Sequence, residues 1–268
     1  MARRTIAVFL SCLLAGGTAP VPAHAGAGCG EPRPRREAAR GAEPHALSPA
    51  EAGALLADLR RRLARLHRAP DTEITVPLWV HVITGDGQGA TDQSVARQVT
   101  ALNDAYGGRY GGADTGVVFR LMGVTRTENP AWFRDPLGYE APMKRRLRRG
   151  GPETLNLYLA QLGDLVLGYS TYPHRYARDP ELDGVVVDWR SLPGGTLPGF
   201  DRGFTAVHEI GHWLGLLHTF ENGCAGGDGV ADTPPEAYPA EGCPEHKDTC
   251  PAPGTDPIHN FMNYSHDR

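Results

Sequence analysis

The stretch HEIGHWLGLLH, residues His208–His218, decides how the rest of this 268-residue chain is read. It has the form H-E-x-x-H-x-x-G-x-x-H. On a helix, residues four apart stand on the same face about 5–6 Å apart at Cβ, so His208 and His212 can both reach one Zn²⁺ at about 2.0–2.1 Å. Glu209 is rotated about 100° from His208. That carries its carboxylate beside the metal toward the fourth ligand position, where it can act as general base to a water. Gly215, three residues after the second histidine, suits the left-handed turn that ends a helix, and the reversed chain then brings His218 round as third ligand. Three protein ligands leave one position open, which is the catalytic rather than the structural arrangement of zinc. An amphipathic core helix would explain Trp213, Leu214, Leu216 and Leu217 as packing residues. It does not explain three histidines, a glutamate and a glycine in this register.

The chain as a whole sets bounds on partner and compartment. A net charge of −4 and a pI near 6.3 carry no global signal for nucleic acid or an acidic membrane surface. No stretch reaches the ~18 apolar residues that a membrane-spanning helix needs. Residues 1–25 read as a signal peptide, with MARR as the basic start, TIAVFLSCLLAGG as the apolar centre and Ala23-His24-Ala25 as the cleavage site before Gly26. Gly16, Gly17, Pro20 and Pro22 argue against a buried N-terminal helix. An exported chain is permitted disulfides. Of five cysteines, Cys12 leaves with the signal, and Cys29, Cys224, Cys243 and Cys250 remain.

Residues 26–70 are rich in Arg, Ala and Pro and carry no strand pattern. Within them Ser48, Pro49 and Glu51 read as N-cap, first-turn proline and capping-box acid of an amphipathic helix through Leu55, Leu59, Leu63 and Leu66. The segment is either a linker carrying a solvated helix or a propeptide. From residue 71 the pattern changes. Strands are expected at Thr75–Thr84, Val117–Thr125, Thr154–Leu159 and Gly184–Asp188. Helices are expected at Thr91–Tyr106, Ala141–Arg149 and Phe204–Leu214. Alternating strands and helices give an α/β layout, followed after His218 by a loop-like stretch dense in Gly, Pro, Cys and Asp.

Beyond the metal signature, the chain resembles the pappalysin family of metzincin peptidases. The resemblance is carried by VPLWVHVI from Val76, ALNDAYGG from Ala101, FRLMGVTRTENPAWF from Phe119, LRRGGPETLNLYL from Leu147 and LGYSTYP from Leu167. It continues in DGVVV from Asp183, the zinc segment from His208, GDGVADTP from Gly227 and HNFMNYS from His259. These segments follow the family's order and span nearly all of residues 75–268.

The resemblance implies His208, His212 and His218 as zinc ligands and Glu209 as general base. It places Met262 in the Met-turn, its polarizable thioether forming an apolar floor beneath the metal, and Tyr264 near the zinc as an oxyanion stabiliser. Asp228, Val230 and Thr233 take the positions of calcium ligands, with a solvated acidic turn as the alternative. Cys224 and Cys250 match a family disulfide, and Cys243 a cysteine whose partner lies just beyond Arg268. The family continues past that point with a C-terminal helix, so a latent or inactive zinc-binding fragment is the alternative to an active enzyme. Cys29 is similar to a pro-form cysteine whose thiolate fills the open zinc position before activation. A free thiol and a bridge to Cys243 are its alternatives.

The expectation is therefore a secreted zinc endopeptidase acting on peptide or protein substrates, with no nucleic-acid or membrane partner. Its metzincin-like α/β domain (71–268) would have a twisted mixed sheet, a backing helix and a zinc helix in an upper subdomain (71–214), over a small irregular lower one (215–268). Leu167–Pro173 would be the edge strand that pairs with an extended peptide. Asp267, bordering the pocket past the scissile bond, would favour a basic side chain there.

Overall fold

The structure is a computed structural model that describes residues 43–65, 73–163 and 166–267. In chain order the elements are helix α1 (Pro49–Leu63), strand β1 (Ile74–Thr84), α2 (Asp92–Tyr106), β2 (Val117–Glu128), α3 (Pro130–Arg134) and α4 (Glu140–Leu147). Then come β3 (Leu155–Ala160), β4 (Gly168–Ser170), β5 (Val185–Asp188) and α5 (Phe204–Leu214). The five strands form one sheet in the order β2-β1-β3-β5-β4. The first four are parallel, and β4 runs antiparallel to β5 with Tyr169 opposite Val186.

The parallel strands show why the α/β reading succeeds. Every residue of β3 and of β5 is buried, as largely apolar strands are when helices cover both faces of a parallel sheet. On one face, Val95, Leu102 and Tyr106 of α2 and Ala206, Val207, Ile210 and Trp213 of α5 pack onto Val76, Val80, Leu157 and Val185. On the other, Phe133 of α3 and Met143 and Leu147 of α4 pack onto Ile83, Tyr158, Tyr169 and Val186. Beyond Leu214, among the described residues, one single-turn 3₁₀ helix interrupts the loops. Among the described residues, no helix is long and apolar enough to cross a membrane.

Two features depart from the sequence reading. Helix α3 is additional, opened by Asn129, whose side chain accepts from the amides of Ala131 and Trp132. Helix α1 has the expected capping box at Ser48 and Glu51, but it is not solvated. Ala52, Leu55 and Leu59 are buried with Leu47 against Tyr172 and Leu217. An amphipathic pattern shows that one face is apolar and not what that face meets. The expected signal peptide lies outside the described residues, as does Leu66.

Two buried polar groups tie the layers together. His81 in β1 sits between Thr125 Oγ1 at 2.8 Å and Asn156 Oδ1 at 2.9 Å and stacks on Tyr158. Burial pushes its pKa down to about 4, against the hydrogen bond it donates to Asn156, so it is a neutral core histidine. In α4, Lys144 is fully buried, with Nζ 2.7 Å from Glu140 Oε1 and donating to Leu182 O at 2.9 Å. Burial works against ionisation of Glu140, but hydrogen bonds from His45 and Lys144 and the Lys144 charge outweigh it and bring the pKa to about 2.

A native pKa near 2, below the ordinary 4.5 of a free glutamate, means that the ionised carboxylate stabilises the fold above about pH 4.5. That contribution is lost as pH falls through about 2. Glu140→Gln is accordingly expected to lower the urea midpoint at pH 6, with the difference from the parent shrinking steadily toward pH 2. A difference that stays constant with pH would contradict this account.

Candidate metal centre and active site

Helix α5 is built to be buried and to stop abruptly. All its residues from Thr205 to Leu214 are buried. It starts after Gly203 (φ 84°) and ends at Gly215 (φ 106°), both left-handed, a conformation that costs L-residues with a Cβ about 1–2 kcal/mol. Asp267 supplies the missing N-terminal cap from the far end of the chain, its Oδ2 accepting from Arg202 N at 2.9 Å and Phe204 N at 3.4 Å. It lines a pocket with Tyr110, Arg202, Phe204 and Ile258. Its carboxylate is nevertheless committed to these amides.

The reversal at Gly215 brings all three histidines together. His212 Nε2 lies 3.1 Å from both His208 Nε2 and His218 Nε2. The opposite ring nitrogens are occupied: His208 Nδ1 by Phe261 O at 2.6 Å, and His212 Nδ1 by Leu216 O at 2.8 Å and the Tyr172 hydroxyl at 2.9 Å. His218 Nδ1 stands 3.5 Å from Glu221 Oε2. With the protons on Nδ1, three Nε2 lone pairs point at one place. Burial also pushes His212 below the ordinary imidazole range, although the nearby Glu43 charge opposes this. Neutral lone pairs packed at this spacing repel unless a cation lies among them, so the donor set fits a metal such as zinc. A fourth group joins them: Glu43, two residues before His45, has its carboxylate oxygens 2.9 Å from His208 Nε2 and 3.2 Å from His212 Nε2.

Glu209 is fully buried on the same helix and lies against Gly168 of β4, where an added Cβ would come within 2.6 Å of Glu209 Cγ. Only glycine leaves that room. A second glycine, Gly211, does the same for Met262, whose sulfur a Cβ at 211 would strike. Met262 thus packs directly against α5. Tyr264 is half-buried, with its ring 5.0 Å from that of His218 and 5.9 Å from that of His208.

Two positioning residues were not foreseen. Tyr172 holds the outer nitrogen of His212, and no spacing rule links it to a histidine 40 positions later. Glu236, fully buried, accepts from Thr219 Oγ1 and Asn263 Nδ2, both at 2.8 Å, and lies 2.5 Å from Lys247 Nζ. It joins the residue after His218 to the residue after Met262. Lone acidic residues in loops carry no pattern that would have flagged it, or Glu43.

The remaining expectations fall as follows. Cys224 and Cys250 form a disulfide. Cys243 is also disulfide-bonded, so the expectation that its partner lies beyond Arg268 does not hold here. Cys29 lies outside the described residues. Asp228 is buried, and its Oδ1 accepts from Val230 N at 2.9 Å. Burial pushes its carboxyl up to about 6 against hydrogen bonds from Val230 and Thr233. Val230 and Thr233 close the same turn, with Thr233 N donating to Val230 O at 3.3 Å.

Comparison with known proteins agrees with this geometry. The family model described as Pregnancy-associated plasma protein-A matches residues 168–268. An extracellular metalloprotease of Podospora anserina is 38% identical over 258 residues, covering 93% of this chain and 85% of that protein. Extracellular metalloprotease 1 of Coccidioides posadasii is 45% identical over 204 residues, covering 72% and 70%. Among solved structures, mature mirolysin of Tannerella forsythia in complex with a cleaved peptide is similar with a TM-score of 0.63 and 28% identity, over 74% of this chain and 86% of that one. A promirolysin variant from the same organism gives 0.68 and 27%, over 82% and 83%.

Removing the hydroxyl that orients His212 should loosen the metal without disturbing the core. Tyr172→Phe is expected to weaken zinc about 10- to 100-fold, in line with other outer-shell partners of metal-bound histidines. Gly211→Ala, which drives a methyl into Met262, should lower stability by about 1–3 kcal/mol. Competition against a fluorescent chelator and urea denaturation measure the two effects. Unchanged affinity in Tyr172→Phe would remove that residue from the site.

Proposed function

Because the chain belongs to the pregnancy-associated plasma protein-A family of metallopeptidases, we propose that His208, His212 and His218 hold its zinc and that Glu209 is the base of peptide-bond hydrolysis. The protein is a secreted zinc endopeptidase. The observation that carries the residue assignment is the convergence of three Nε2 atoms, two of whose partner nitrogens are already engaged in hydrogen bonds. When bound, zinc supplies Lewis-acid polarisation of the scissile carbonyl and lowers the pKa of a water ligand to about 7.

The chain's own residues do the rest. Glu209 follows the first ligand on α5 and is held against Gly168. Its carboxylate takes the proton from the attacking water and delivers it to the leaving amine. Tyr264, beside His218 and His208, offers its hydroxyl to the developing negative charge on the carbonyl oxygen. Met262 under Gly211 holds the helix floor, and Glu236 keeps the His218 loop and the Met262 turn in one register. Strand β4 ends the sheet, so its outer edge is available to an extended peptide, which would run past Glu209.

The loop from Gly227 to Pro234 is proposed to hold calcium through Asp228, Val230 and Thr233. What supports this is a buried carboxylate whose burial disfavours its charge, a disadvantage that a bound cation would offset. Calcium at millimolar concentration is then expected to raise the melting temperature of the parent and not of Asp228→Asn. An equal response from both proteins would rule the loop out.

Glu209→Gln is expected to retain one zinc per chain and to lose about 10²–10⁴-fold in kcat/KM, the range of a general base. Gly168→Ala, which displaces the same carboxylate, should reduce turnover in the same direction with zinc retained. Casein or peptide hydrolysis with parallel metal analysis measures both. Near-normal turnover by Glu209→Gln would overturn its assignment as base, and loss of its zinc would place it among the ligands instead.

A further inference from the structure

The geometry points to Glu43 as a built-in inhibitor: we propose that its carboxylate takes the fourth metal position, so that the enzyme stays latent while the N-terminal segment is attached. The proposal rests on the three-histidine zinc reading above. Besides its contacts with His208 and His212, Glu43 Oε2 lies 3.4 Å from His218 Nε2, and the four ligand atoms lie within 4.8 Å of one another. Ligands at about 2.0–2.2 Å around a tetrahedral zinc stand about 3.3–3.5 Å apart. The carboxylate and the three imidazoles therefore have the spacing of a four-coordinate site. Three histidines and a glutamate form a closed set, the structural rather than the catalytic arrangement, with no position for water.

The segment around Glu43 is made to hold that carboxylate in place. Ala46 N donates to Glu43 O at 3.3 Å, closing a turn over Glu43, Pro44, His45 and Ala46. His45 has φ 69°. A left-handed third residue after a proline is the arrangement of a type II turn, usually built with glycine at that position. Here a histidine takes it, and its ring has a partner: His45 Nε2 donates to Glu140 Oε2 at 3.1 Å, with the ring edge-on to Tyr169 of β4. Leu47 and the apolar face of α1 then bury against Tyr172 and Leu217. Tyr172 orients His212, and Leu217 precedes His218. Inhibitor and metal site thus share the same supports, and the turn lies over the strand whose edge a substrate would use.

Release follows from chain cleavage. Arg60, Arg61, Arg62 and Arg65, at the end of α1, are exposed and accessible to a trypsin-like protease. Cutting there severs the inhibitor from the catalytic domain. The promirolysin structure matches more of this chain than mature mirolysin does, 82% against 74%, as expected if the additional matched part is a pro-segment.

The test compares the uncleaved full chain as the parent, Glu43→Gln and Cys29→Ser, each loaded with zinc and separately with cobalt. All three should bind one metal. The parent and Cys29→Ser should be silent toward a quenched fluorescent peptide until cut with trypsin. Glu43→Gln should be at least tenfold more active than the uncut parent, because a neutral amide is a poor competitor for zinc. Its cobalt visible spectrum should also change from that of the parent toward that of the trypsin-activated form. That spectral readout is independent of turnover and would report a carboxylate ligand even in a variant impaired for other reasons. Release of latency by Cys29→Ser with Glu43→Gln silent and spectrally unchanged would overturn the proposal in favour of a thiolate. Absence of metal from every form would overturn the three-histidine reading, and the latch with it.

Discussion

Three clustered imidazole nitrogens, with that of His212 lying 3.1 Å from each of the other two, are the constraint on which this architecture depends. Without a cation the arrangement is repulsive and desolvated; with one it becomes a set of strong bonds. Everything nearby keeps the rings in that orientation. Phe261 O, Leu216 O and Tyr172 occupy the outer nitrogens of two of the rings, so neither ring can turn its Nε2 away without losing a buried hydrogen bond.

Those outer contacts come from separate parts of the chain, which explains the elaborate lower lobe. A region with almost no regular secondary structure has little repetitive backbone hydrogen bonding to hold it. It is held instead by the Cys224–Cys250 disulfide and by Glu236, which binds the loop after His218 and the turn at Met262 at once. A buried carboxylate with several donors rigidifies well, but it is costly to leave half satisfied. Asp267 plays a comparable part at the other end of α5, replacing the side-chain cap that Gly203 cannot provide. The zinc helix is therefore positioned as much by the loops after it as by the sheet before it.

Glycine marks the places where two parts of the site approach most closely. Gly168 gives Glu209 its position, and Gly211 lets Met262 reach the underside of α5. A single methyl group at either position would therefore be felt by Glu209 or by Met262. The N-terminal segment exploits the same crowding, entering beside β4 and laying α1 across Tyr172 and Leu217.

Much of this was legible in the linear chain, because local periodicity reports local structure. A β-branched run, VVV, bounded by turn residues marked β5. Thr91 marked the start of α2, Ser48 with Glu51 the start of α1, and the spacing of His208, Glu209, His212, Gly215 and His218 pointed to a helix, its end and three histidines brought together. These are properties of residues within about ten positions of each other, where helix geometry leaves few choices. The tertiary structure alone decided what each face meets: that α1 is packed rather than solvated, that Tyr172 holds His212, that Glu236 and Asp267 serve as buried acceptors, and that Glu43 lies among the histidines. The physical reason is that such contacts join residues tens to more than a hundred positions apart. Their partners are chosen by packing and by the need to satisfy buried polar groups, neither of which leaves a period in the sequence.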